Sequence, residues 1–223
     1  MNTLGDIVTT LFGESTQTVD IIILLTLLTL LPSIVLMLTG FTRILIVLSF
    51  VRNSLGMQQT PPNQVVIGLA LFLTFFVMSP VLTRVYDEAY VPYTSGEITQ
   101  DEFIENAMAP TREFMIRQVQ ETDLNFFLSL SREPLEDITD VNDIPNTVLI
   151  PAFLTSEIKH AFLIGFIIYI PFVVVDMIVA STLMAMGMMM LPPAMISLPF
   201  KVLMFVLVDG WQLVIGSLMG SFR

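Results

Sequence analysis

Four stretches of this chain, residues 19–51, 65–85, 153–183 and 198–218, are long and almost wholly apolar, and one acidic segment divides them into two pairs. About 20 consecutive apolar residues suffice for a helix to cross bilayer hydrocarbon. In that solvent an isolated segment satisfies its backbone only as a helix. The pattern therefore predicts an all-α protein of membrane-associated helical hairpins. Composition points the same way. The 223 residues are 54% hydrophobic and 13% charged, with mean hydropathy +0.81. An ordinary soluble domain has about 25% charged residues, so a soluble fold of this length could not cover its surface.

The charge is concentrated in the acidic segment. Between Tyr86 and Thr147 lie fourteen acids and three arginines (Arg112, Arg117, Arg132), while the rest of the chain holds six acids and six bases. The whole net charge of −11 thus belongs to one insert. A nucleic-acid partner requires a basic face, and this balance argues against one. It also disfavours electrostatic attachment to anionic lipid. With no cysteine, disulfides, thiol catalysis and cysteine metal sites are excluded as well.

Four segments follow in order. Residues 1–18 are polar, carry Asp6 and Glu14, and lack the basic start of a secretory signal. Residues 19–85 form the first apolar helical pair, with a break expected near Thr39-Gly40 and a loop from Asn53 to Asn63 around Gly56 and Pro61-Pro62. Residues 86–150 form the acidic helical insert. Thr99 and Glu102 have capping-box spacing, Pro110 is expected to start a second helix, and Leu124, Phe127 and Leu128 suggest a third. The apolar face of this module must pack on something; the alternative is a solvated loop. Residues 151–223 form the second apolar helical pair, joined by a methionine-rich loop that ends at Pro192-Pro193.

Arg43 and Arg52 flank the first short connection and Lys201 ends the last one, so the positive-inside rule places both connections in the cytoplasm. The insert and both termini then lie outside, in the periplasm of a Gram-negative cell.

Ionisable residues within apolar segments are expensive, and a functional or paired role is their default reading. Glu157 and Lys201 are candidates for an ion pair, within or between subunits; the alternative has Lys201 snorkelling to a headgroup and Glu157 at the interface. Asp20 is read as interfacial. Asp176 and Asp209 lie deeper and are read as buried acids contacting protein or water. Met186, Met188, Met189 and Met190 sit on a turn bounded by Gly and Pro. Methionine is flexible and polarizable, so the turn suits either a soft apolar seal around a passage or ordinary packing in a tight hairpin. No catalytic constellation is present. His160 is the only histidine, and neither a nucleophile partner nor a phosphate-binding glycine motif accompanies it. No enzyme activity, cofactor or metal is expected.

Three long stretches bear a wider resemblance: FTRILIVLSFVRNSLGMQQTPPNQVVIGLALFLTFFVMSP (41–80), PAFLTSEIKHAFLIGF (151–166) and LMAMGMMMLPPAMISLPFKVLMFVLVDGW (183–211), with REFMIRQ (112–118) in the insert. Together they cover most of the chain after Phe41. In these the chain resembles the FliP family, export-gate subunits of flagellar type III secretion whose injectisome relatives are the SctR proteins. The wording PPNQVVIGLALFLTFF looks like the flagellar branch. Leu163 departs from the pattern, since the family usually has a polar or charged residue there. Members are also commonly made with a cleavable signal peptide, which residues 1–18 do not resemble.

The resemblance implies that five such subunits join FliQ and FliR in a closed helical gate in the bacterial inner membrane, within the flagellar basal body. Unfolded flagellar proteins would cross it, with FlhA, FlhB and a cytoplasmic ATPase supplying targeting and energy. It implies that the loop bearing Met188, Met189 and Met190, with Met186 just before it, constricts the pore. The family's acid and lysine map to Glu157 and Lys201, as a pair between neighbouring subunits, and the insert becomes a periplasmic module that packs subunits together. The other function classes are a small-solute or ion transporter with Glu157, Asp176 and Asp209 as a relay, an injectisome gate subunit, and a structural membrane scaffold.

Overall fold

The computed structural model describes residues 25, 26, 28–30, 33, 36–57, 60–131, 143–188 and 190–222. The readings made on residues 1–18, Asp20, Arg132 and Met189 lie outside them. The chain divides into two units, Met1–Met37 and Leu38–Arg223. In the first, the described residues are helical, and Leu25, Leu28, Leu30 and Met37 are exposed.

The second unit opens with a turn over residues 38–40, where the sequence predicts a break. Helix α1 (Phe41–Ser54) follows, burying Ile44, Val47, Leu48 and Val51. Steps of three and four residues place these side chains on one face. Helix α2 (Asn63–Val85) begins directly after Pro61-Pro62. It does not stop where the apolar block ends. A π-helical turn (Tyr86–Tyr90) and the short α3 (Val91–Thr94) prolong it into one 32-residue run, Asn63–Thr94. The division drawn between residues 85 and 86 therefore falls inside continuous helix.

In the insert, α4 (Gln100–Gln118) starts with the expected capping box. The Thr99 N–H donates to Glu102 Oε2 at 2.7 Å, and the Glu102 N–H donates to Thr99 Oγ1 at 3.4 Å. Pro110 does not begin a new helix; it lies inside α4 with its ring fully buried. An interior proline forfeits one backbone hydrogen bond, and here packing of the ring in the core offsets that loss. Helix α5 (Glu121–Leu130) is the third predicted piece.

The second apolar half starts earlier than its sequence suggests. Helix α6 (Asn146–Ala185) runs for 40 residues through Pro151 and Pro171, about 60 Å at 1.5 Å per residue. The last apolar block, expected as one stretch, is two helices: α7 (Pro193–Leu207) and α8 (Gly210–Gly220), bent by 66°. Asp209 sits at the bend with φ 51°. Among the described residues the run Asn63–Thr94 and α6 are each long and apolar enough to cross a membrane, and α7 with α8 makes a third if the bent pair is one span.

Two cores hold the second unit. The first joins α1 to Val66 and Ala70 of α2, Ala161 and Phe172 of α6, Phe205 of α7, and Val214 and Leu218 of α8. Gly165 permits the close approach of α6 to α1, since a Cβ there would lie 2.6 Å from the Phe50 ring. The second core packs Phe114 and Met115 of α4 against Met78 and Val81 of α2 and Val148, Leu149 and Phe153 of α6. The insert is thus no solvated loop. Its apolar face packs on the middle of the Asn63–Thr94 run and on the first turns of α6.

Candidate functional site

Arg43 is the residue around which the buried polar groups gather. It lies on the first turn of α1, where the 3.6-residue period turns it toward α6. Its Nε donates to Glu157 Oε2 at 3.1 Å, and its Nη2 pairs with Glu157 Oε1. Both side chains are sealed from solvent, at 1% and 0% exposure. Such a two-pronged contact suits the planar guanidinium fork. The remaining donors are also used. Nη1 donates to the Ser221 carbonyl at 2.8 Å and to its hydroxyl at 3.1 Å, and Nη2 reaches Gln118 Oε1 at 2.9 Å. The guanidinium carbon lies 4.0 Å from the Phe222 ring centroid, a cation–π contact.

A second charge pair adjoins the first through His160. Its Nδ1 is 3.2 Å from Arg43 Nη2, and because arginine offers no acceptor, Nδ1 must accept. On the other edge of the ring, the Gln120 amide lies 2.9 Å from Nε2. The Gln120 backbone N–H donates to Ser156 Oγ at 2.9 Å, and Ser156 donates to Asp123 Oδ2 at 2.8 Å. Lys159 completes the set by pairing with Asp123 Oδ1. Burial works against the Asp123 carboxylate, but the bonds from Lys159 and Ser156 outweigh it and hold the group below the usual aspartate range. The network ties α1, the α4–α5 junction, α6 and the end of α8 to one point. It is a fastener, with every charge matched.

Lys201 belongs elsewhere. On α7 it donates to Asp176 Oδ2 of α6 at 2.6 Å, and Ser197 donates to Asp176 Oδ1 at 2.5 Å. Within the chain, then, Glu157 and Lys201 are not together: each has another partner. Asp176, read as buried, is half-buried in this pair, and Asp209 is exposed because the bend turns it outward. The relay of Glu157, Asp176 and Asp209 is not brought together. Glu157 and Asp176 stand 19 residues apart on one helix, about 28 Å along its axis.

The methionine turn joins α6 to α7. Gly187 takes φ 74°, the Met188 N–H donates to the Leu183 carbonyl at 3.0 Å, and the Gly187 N–H donates to the Met184 carbonyl at 3.0 Å. That is a Schellman ending, which needs the left-handed conformation that glycine takes without strain. It leaves Met186 and Met190 exposed, Met190 at 98%. Met188 is half-buried. Among the described residues no three His, Cys, Asp or Glu side chains gather where they could hold a metal ion.

The FliP family profile matches residues 24–218, nearly the whole chain. The chain belongs to the FliP family. Individual relatives agree. It is 58% identical over 211 residues to a flagellar biosynthetic protein FliP of Pectobacterium carotovorum, covering 94% of this chain and 81% of the relative. The FliP of Bacillus subtilis is 52% identical over 206 residues, 92% of each chain. That of Aquifex aeolicus is 45% identical over 211 residues, 95% of this chain and 88% of its own. Each of the three relatives is named for flagellar biosynthesis.

Family membership gives the exposed methionines and the buried charges a context. It also shows what sequence reasoning missed. The sequence reads Arg43 as a connection-flanking charge, whereas among the described residues it is the hub of the buried polar network. The available signal was an arginine inside an apolar block, which is costly unless paired. Arg43 and Lys201 are helical, buried and matched. Of the three cations behind the orientation argument, only Arg52 lies near a connecting loop, bonded to Asn63.

Proposed function

We propose that this chain is a core subunit of the flagellar type III protein-export gate, one of five that join FliQ and FliR around a closed passage for unfolded flagellar proteins. As a FliP-family member it is a membrane-embedded component of the flagellar export apparatus. The observation that carries the gate reading is the methionine turn. A glycine-capped hairpin presents flexible apolar side chains outward, Met190 almost completely, and Met186 and Met190 stay exposed among the described residues. Such side chains adapt to whatever they close upon. The constriction is assigned to Met186, Met188, Met189 and Met190.

The single subunit also leaves much apolar surface uncovered, including Phe72 at 77%, Phe76 at 72% and Leu207 at 73%. Lipid and neighbouring subunits would cover it. In the proposed assembly FlhA and FlhB lie nearby and the insert faces the periplasm from the inner membrane; Glu157 of one subunit pairs with Lys201 of the next by giving up Arg43 and Asp176, their partners within the subunit. The names of the relatives favour the flagellar branch over the injectisome. The dispersed acids speak against an ion relay.

The test is permeability. Replacing Met188, Met189 and Met190 with alanine in the assembled gate should let small solutes leak while assembly is retained. A tight membrane in that variant would sink the seal. For the subunit contact, Glu157→Ala and Lys201→Ala should each weaken the oligomer; normal assembly of both would exclude the pair.

A further inference from the structure

Asp176 and Lys201 occupy matching depths in the hairpin. Asp176 lies nine residues before the end of α6 at Ala185, and Lys201 eight residues after the start of α7 at Pro193. At 1.5 Å per residue both are about 12–14 Å from the methionine turn. That is farther than a lysine side chain can snorkel. Lys201 is 5% exposed, and its ammonium sits 2.6 Å from Asp176 Oδ2. The other carboxylate oxygen takes the Ser197 hydroxyl. Toward the turn, the space between the helices is an apolar cavity of about 470 Å³, lined by Val175, Ile178, Val179, Ile196 and Phe200 among others. Thr182 is the polar side chain in that lining, but its hydroxyl donates to the Ile178 carbonyl and carries no charge, so it could not replace Asp176. Register and chemistry thus select one partner.

We propose that Asp176 is the resident counter-ion of Lys201: it neutralises the cation within the α6–α7 hairpin, so that the hairpin enters the bilayer before any neighbouring subunit is present. A lone cation in the centre of an apolar helix strongly disfavours insertion, whereas a matched pair with its hydroxyl donor presents no net charge. Both partners lie on consecutive helices joined by a tight turn, so the pair forms as soon as the hairpin closes. Each subunit thereby carries its own neutralisation, independent of assembly. The inference needs only that this hairpin enters a membrane and does not depend on the export-gate reading. If adjacent subunits later pair Glu157 with Lys201, Lys201 exchanges one carboxylate for another.

The experiment expresses the full chain alone, without other export components, with Met190→Cys at the turn as its single cysteine. The inserted fraction is measured as the fraction that a membrane-impermeant thiol reagent applied on the insert's side of the membrane fails to label. Asp176→Asn should lower it by at least about threefold, the scale expected of an unmatched lysine in an apolar helix. The double variant Asp176→Asn with Lys201→Met removes the charge that needed matching, and should return insertion to near the wild-type level. The proposal is overturned if Asp176→Asn inserts like the wild type. It is equally overturned if the double variant inserts no better than Asp176→Asn, because the loss would then come from packing. Export is not read in either arm, so the outcome is separable from that of the gate test.

Discussion

Arg43 and Glu157, 114 residues apart in sequence, meet in the interior with the guanidinium Nε 3.1 Å from one carboxylate oxygen and Nη2 on the other. Neither side chain reaches solvent. Removing one member of a buried pair strands the other charge, at a cost of about 3–5 kcal/mol, while replacing both by apolar residues is often nearly neutral. Arg43→Met and Glu157→Met should therefore each destabilise the subunit strongly, and the double variant by less than either. Denaturant unfolding in detergent measures this. Additive losses would show that the two residues contribute separately.

Asp123 sets an acid limit on how the insert is fastened. Its carboxyl is held below its ordinary value of 3.8, so it binds fewer protons folded than unfolded. Stability then rises with pH. The contribution is complete above about pH 4 and is lost as pH falls through the lowered folded value. Wild type should exceed Asp123→Asn by about 1.5–3 kcal/mol at neutral pH, the range for hydrogen bonds to charged groups. Unfolding of both proteins across pH should show that gap closing in acid. A gap that widened there would contradict the assignment.

Gly165 marks the closest approach of α6 to α1. A Cβ would lie 2.6 Å from Phe50, so Gly165→Val must displace that ring and should cost about 1–3 kcal/mol, typical of overpacking. Gly68→Ala is the control, because a Cβ there meets nothing within 4 Å. Thermal unfolding midpoints should separate the two variants clearly.

Gly187 ends α6 in the left-handed region. Gly187→Ala should cost about 1–2 kcal/mol through backbone strain alone. Gly187→Asn, which tolerates that conformation better, should cost less. Equal losses in the two would mean that the strain lies elsewhere in the turn.

Much of this architecture was legible in the sequence because it depends on neighbouring residues. The capping box at Thr99 and Glu102 involves residues three apart, and the break before Phe41 is a local turn. Pro110 misled because propensity treats an interior proline as a helix boundary, whereas tertiary burial of its ring kept α4 intact. The bend at Asp209 did have a local mark, the Asp209-Gly210 dipeptide that favours turns, but the apolar runs on both sides of it read as one continuous span, and only the structure shows φ 51° at the aspartate.

The sequence by itself determined that this chain is helical, that its helices seek an apolar environment, and that its charge resides in one insert. Hydrophobic transfer and backbone hydrogen bonding need only composition and period to dictate that much. Which acid meets which base was decided by tertiary structure alone. Glu157 and Lys201 look like partners in sequence, but packing of α1 on α6 delivers Arg43 to Glu157, and the register of the α6–α7 hairpin delivers Asp176 to Lys201. Charge interactions in a low-dielectric interior depend on separation of a few ångströms, and that separation exists only once the helices have packed.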